Sequence, residues 1–141
     1  MTAAPTTLTV PELAERLAGA LRATLFASNL RINPRRLQAI AGAAADSYLA
    51  FAAGDLEPAA AAAHGRALAG DGLGHAGVVA LVEALLLAAW ADEPGEAAPP
   101  RALTYTSSLL TGYMAAREQA LLQEQERTRV ALDRVRAQRP A

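Results

Sequence analysis

Residues 103–138 have the sequence LTYTSSLLTGYMAAREQALLQEQERTRVALDRVRAQ, with no glycine after Gly112 and no proline before Pro140. Alanine, leucine, glutamate and glutamine, which are strong helix formers, dominate this stretch. The pattern therefore predicts one helix of roughly 35 residues, about 52 Å long. A globule built from the preceding residues would be only about 35 Å across. We therefore expect part of this helix to extend beyond the body of the protein.

The two halves of this long helix differ in character. The first half contains Leu109, Leu110 and Met114 and is apolar enough to pack on a core. The second half is mostly charged, with basic and acidic residues interleaved. We therefore predict a connector helix over residues 117–141 that leads to an output domain absent from this chain.

Capping residues and glycines divide the chain before this helix into shorter helices. Thr9 predicts the start of a first helix, and Asn33 followed by proline predicts the start of a second. Residues 74–91 have apolar side chains around most of the helix circumference, so this segment is expected to be the central, most buried helix. No segment shows the two-residue alternation of a strand. The fold class is therefore predicted to be all-α, a bundle of five to six helices.

Composition narrows the domain organisation and the function. The chain has 141 residues, 52% of them hydrophobic, which predicts one folded domain over residues 9–116 after a flexible lead-in at residues 1–8. With a net charge of −1 we expect no nucleic-acid partner. The longest apolar run, residues 76–91, contains Glu83 and falls short of the roughly 20 residues that span a bilayer. We expect no membrane partner and a cytoplasmic location.

Several short motifs connect the chain to a known family. They are NPRRL at residues 33–37, HGRAL at 64–68, DGL at 71–73, and YMAARE at 113–118 leading into LLQEQE at 121–126. With these motifs, residues 33–91 and 104–136 resemble the N-terminal regulatory domains of RsbR-type proteins, the sensory halves of stressosome and STAS anti-sigma-factor-antagonist proteins. The resemblance implies a globin-like fold, usually without haem. It further implies a homodimer whose last helix runs to a C-terminal STAS domain, and other stressosome proteins as partners.

The histidines are the candidate cofactor ligands. His64 and His75 are the only two, and a globin-like fold makes either one a candidate axial haem ligand. A packed or solvated histidine is the simpler interpretation, because aromatic residues, which usually line haem pockets, are only 4% of the chain. Asp71 and His75 are four residues apart, which is too few ligands for a metal site. We therefore expect no haem, no other cofactor and no metal.

No catalytic constellation is visible, and the chain contains no cysteine and no lysine. We therefore expect a non-enzymatic sensory and dimerisation domain that passes a signal through its C-terminal helix. Two alternatives stay open: a haem- or small-molecule-binding globin sensor with its pocket near Leu85 and Trp90, and a structural dimerisation module without a ligand.

The surface that would pair two copies follows from the spacing in the long helix. Steps of three and four pass through a partly apolar seam: Met114, Glu118, Leu121, Gln125, Thr128, Leu132 and Val135. Polar residues on the seam predict a weak coiled coil. The predicted dimer or transmission surface consists of Leu110, Tyr113, Met114 and Leu121.

Overall fold

The structure is a computed structural model that describes residues 7–27, 33–95 and 99–139. Most of the predicted lead-in, residues 1–6, lies outside the described residues. The described part forms five α-helices and contains no strand, which confirms the all-α fold class. The helices are α1 (Val10–Ala27), α2 (Pro34–Ala52), α3 (Pro58–Gly70), α4 (His75–Asp92) and α5 (Pro100–Gln138).

The predicted starts of the first two helices are confirmed. Asn33 Oδ1 accepts a hydrogen bond from the backbone N–H of Arg35 at 2.9 Å, and Pro34 occupies the first turn of α2. Thr9 Oγ1 accepts a longer bond, 3.4 Å, from the N–H of Glu12 at the start of α1. These contacts satisfy backbone donors that have no partner within the helix.

The core forms where apolar side chains recur every third or fourth residue. In α1 the leucines at positions 13, 17, 21 and 25 are all buried, which matches their spacing along one helix face. They pack on α2 and α4, and the same core continues through buried residues of α3 and the first half of α5. One consequence is that α5 is held by the body only through its first half.

The prediction that α4 is the central and most buried helix is wrong. Val79 is 45% exposed, Leu87 62% and Trp90 39%. Only one side of α4 meets neighbouring helices, so the apolar residues on its other side are left uncovered. By length and composition alone α4 could cross a membrane, although a core helix of a soluble protein passes the same test.

Helices α3 and α5 meet through their backbones. A Cβ atom on Gly65 of α3 would overlap the carbonyl oxygen of Leu109, and one on Gly112 of α5 would overlap the carbonyl oxygen of Ala62. The two glycines therefore allow an approach that any side chain would prevent. Because no flexible side chain separates the helices at this contact, α3 fixes the position of α5 closely.

Candidate functional site

The first half of α5 is anchored by two buried tyrosines. The Tyr105 hydroxyl donates to Ser47 Oγ at 2.8 Å, and its ring packs edge-on against Tyr48 with the centroids 5.3 Å apart. Burial raises the pKa of the Tyr48 phenol and of the Tyr105 phenol to about 12. These contacts hold α5 against α2.

Tyr113, which the sequence placed on the dimer or transmission surface, makes the second anchor and is buried. Its side chain is 1% exposed, and its hydroxyl donates to the backbone carbonyl of Leu73 at 2.6 Å. Burial raises the pKa of this phenol as well. Tyr113 therefore belongs to the body of the fold, because a residue of a dimer surface must be reachable in the free chain. The other three predicted residues remain at the surface, with Leu110 half-buried and Met114 and Leu121 exposed.

Exposure changes abruptly along α5. Ala116 is half-buried, whereas every residue from 117 to 139 is exposed. The helical part of this segment, residues 117–138, is about 33 Å long at 1.5 Å per residue. The change falls where the sequence predicted the start of the connector helix.

One face of α5 is partly apolar along most of its length, interrupted by Ser107 and Arg117, and we call eight of its residues the α5 stripe. It consists of Leu103, Leu110, Met114, Leu121, Gln125, Thr128, Leu132 and Val135. At about 100° per residue these positions fall within an arc of about 80°. The exposed fraction is 47% for Leu103 and 60% for Met114, so the stripe is uncovered beside the body as well as beyond it.

A groove lies beside the upper part of the stripe, and we call it the α4–α5 groove. It has a volume of about 360 Å³. Its lining residues are Val79, Val82, Glu83, Leu86, Leu87, Trp90 and Leu110. Glu83 is exposed at the rim of the groove. The Trp90 Nε1–H donates to the carbonyl oxygen of Gly95 at 2.8 Å, which fixes the indole at the end of the groove. Because Leu110 belongs to both features, the groove and the α5 stripe form one continuous apolar surface.

Charged residues flank the exposed part of the stripe. Arg129 pairs with Glu126 at 2.6 Å and with Asp133 at 3.3 Å on its own helix. The Arg129 hydrogen bond lowers the pKa of the Glu126 carboxyl. Glu124 flanks the other edge of the stripe. The stripe is therefore a partly apolar strip between two charged margins, the arrangement found in paired helices.

The two histidines lie on different helices and differ in environment. His64 is half-buried on α3, and its Nε2 atom is buried with no hydrogen-bond partner in the described part of the chain. Burial lowers the pKa of this imidazole, and nearby Asp71 partly opposes that effect. His75 is exposed at the start of α4. Among the residues that the structure describes, no three histidine, aspartate or glutamate side chains come together as metal ligands.

Two features of this region were not found from the sequence. The backbone contact between α3 and α5 depends on Gly65 and Gly112, and the only signal was a glycine inside each of two helices, where it costs about 1 kcal/mol relative to alanine. The sequence did not predict the exposure of Leu87 and Trp90. Apolar residues occur all around α4, so their spacing does not distinguish a buried face from an exposed one.

Comparison of this chain with protein-family models, with curated proteins and with solved structures finds no match.

Proposed function

We propose that this chain is a non-enzymatic sensory and dimerisation domain with a globin-like fold, which passes its state to an output domain through α5. One observation carries the proposal: α5 is fixed in the body by its first half and fully exposed over its second half. A single helix that belongs to both parts would transmit any shift of the body to its far end. The resemblance to RsbR-type regulatory domains adds a STAS domain as the output, stressosome proteins as partners and a cytoplasmic setting.

The exposed half of α5 supports a homodimer. In proteins most of the stability of a helix comes from packing of its apolar face, not from helix propensity alone. Here Leu121, Leu132 and Val135 are each more than half exposed on the same face. A second α5 would cover them, and we propose that dimerisation holds the connector in place without a cofactor or metal.

Light scattering tests this proposal. The wild-type chain, of 14.6 kDa, is expected to show twice that mass at high micromolar concentration. The double variant Leu121→Glu, Leu132→Glu places two charges on the stripe and is expected to be monomeric. The control Gln123→Glu, Ala137→Glu adds the same charge on the opposite face and is expected to remain dimeric. A wild-type chain that stays at 14.6 kDa would exclude the proposal.

The α4–α5 groove favours a second candidate, a sensor of a small apolar molecule. Its volume of about 360 Å³ lies at the lower end of ligand pockets, which run from about 300 to 1,000 Å³. A ligand that binds only the folded state raises the melting temperature. Thermal-shift measurements with haem and a panel of apolar metabolites would therefore detect it. A dimer that no compound stabilises would favour a purely structural module.

A further inference from the structure

The α5 stripe and the α4–α5 groove together are large enough to form an interface. Eight large apolar side chains on this surface are 39–62% exposed: Val79, Leu87, Trp90, Leu103, Met114, Leu121, Leu132 and Val135. Side chains of this size have roughly 200 Å² of surface each, so together they offer on the order of 800 Å². That is the area that each partner contributes to an interface of standard size. Exposed apolar surface on this scale marks an interaction site.

A second copy of the chain fits this surface better than another occupant does. The α5 stripe follows steps of three and four residues, the pattern that a helix presents to another helix of the same repeat. An identical chain supplies that repeat over the same length. We infer that two copies pair in parallel and in register, each placing its α5 stripe and its α4–α5 groove against those of the other. This inference rests on the proposed function, because it specifies the dimer named there.

The charged margins decide the orientation. Glu124 and Arg129 lie on opposite edges of the stripe and are five residues apart, the separation at which residues of two parallel, in-register helices meet. A parallel dimer therefore forms this pair twice. An antiparallel dimer would instead bring the margin with Arg129 and Arg136 against the same basic margin of the other copy. Arg129 also contacts Glu126 and Asp133 on its own helix, which can remain its neighbours in the dimer.

Polar residues at the centre of the pairing surface limit its strength. Glu118 lies beside the α5 stripe and seven residues before Gln125, so in a parallel, in-register pair heptad spacing places both between Met114 and Leu132, where each would face the same residue of the second copy. Facing amides can bond to each other and favour one register, whereas facing carboxylates repel. The predicted dimer is therefore specific in register and weak in affinity, which suits a connector that must change state.

Cysteine cross-linking tests the register on the whole chain, which has no cysteine of its own. In the inferred dimer Leu121→Cys and Val135→Cys each lie opposite the same residue of the second copy, within reach of a disulfide. Under mild oxidation we expect each variant to form a covalent dimer at least about ten-fold faster than Arg134→Cys, because thiols held together have a high effective concentration. Arg134 is exposed on the opposite face of α5 and provides the control.

Outcomes of the cross-linking separate the two proposals. If the chain is a dimer by light scattering but neither Leu121→Cys nor Val135→Cys cross-links faster than the control, the parallel register is wrong and the proposed function stands. An antiparallel dimer would leave at least one of the two variants slow, which also overturns the inference. A monomeric mass would remove both proposals.

Trp90, the only tryptophan of the chain, reports on the groove. It is 39% exposed in the single chain, so pairing should bury the indole and shift its emission to shorter wavelength as concentration rises. A dimer without this shift would exclude the groove from the interface and overturn that part of the inference. Adding vesicles of phosphatidylcholine and phosphatidylglycerol tests whether the surface binds a membrane instead. A shift that appears only when these vesicles are added would assign the surface to a membrane and overturn the inference.

Discussion

Replacing Gly112 with alanine would place a methyl group against the carbonyl group and Cα of Ala62. The obstacle is backbone, which has no rotamer that could move aside, so α3 and α5 would have to separate. Overpacking of this kind costs typically 1–3 kcal/mol. Alanine gains about 0.5–1 kcal/mol over glycine as a helix former. The two effects combine to a loss of about 0–2.5 kcal/mol. Because the overlap is with backbone atoms of Ala62, we expect Gly112→Ala to lower the free energy of unfolding by about 1–2 kcal/mol.

Gly19→Ala is the matched control for this variant. Gly19 lies within a helix, as Gly112 does, but it is exposed. Nothing lies within 4 Å of a Cβ atom placed on Gly19. We expect this change to raise the free energy of unfolding by up to about 1 kcal/mol. The two substitutions are chemically identical, so opposite signs would isolate the contact between the helices.

Urea denaturation followed by circular dichroism at 222 nm measures both variants. Protein concentration must be the same in every sample, since pairing of two chains makes apparent stability depend on concentration. With a slope of about 2 kcal/mol per molar urea, Gly112→Ala should lower the midpoint by roughly 0.5–1 M. The backbone contact would be refuted if Gly112→Ala were as stable as the wild type or more stable.

Three further predictions concern the tyrosines and the connector. Tyr113→Phe should cost about 1–2 kcal/mol in urea denaturation, because the buried carbonyl of Leu73 loses its donor; an unchanged midpoint would contradict this hydrogen bond. Tyr48 and Tyr105, with pKa values raised to about 12, hold their protons more tightly when folded than in the unfolded chain, where the pKa is about 10. Their contribution to stability should be complete below pH 10 and lost as the pH rises toward 12, which urea midpoints and tyrosinate absorbance at 295 nm would follow. Glu118→Leu should tighten the dimer by about ten-fold or more, since it replaces facing carboxylates with apolar residues; sedimentation equilibrium measures this, and an unchanged affinity would place Glu118 outside the interface.

Local signals were sufficient to predict much of the fold. Asn33 followed by proline indicated the start of α2, and the leucines spaced by four in α1 indicated its buried face, because both depend on neighbours within one or two turns. The long C-terminal helix was also predictable, since no glycine or proline interrupts it after Gly112.

Features that depend on how the helices pack were not predictable from the sequence. Apolar residues surround α4, so the sequence could not distinguish its covered side from the side that exposes Leu87 and Trp90. The sequence did not indicate that the Tyr113 hydroxyl donates to the carbonyl of Leu73 in the core, because Leu73 lies 40 residues away along the chain. The partners of Gly65 and Gly112 lie more than 40 residues away in sequence, beyond what a local pattern can indicate.

In the proposed dimer the exposed half of α5 leaves the body and lies beside the α5 of a second chain. A nitroxide spin label attached through Arg134→Cys gives one label per chain, since the chain contains no other cysteine. With paired helix axes about 8–10 Å apart, outward-facing labels should give one narrow distance of roughly 20–35 Å by double electron–electron resonance. The absence of any dipolar coupling at a concentration that gives a dimeric mass would contradict the account.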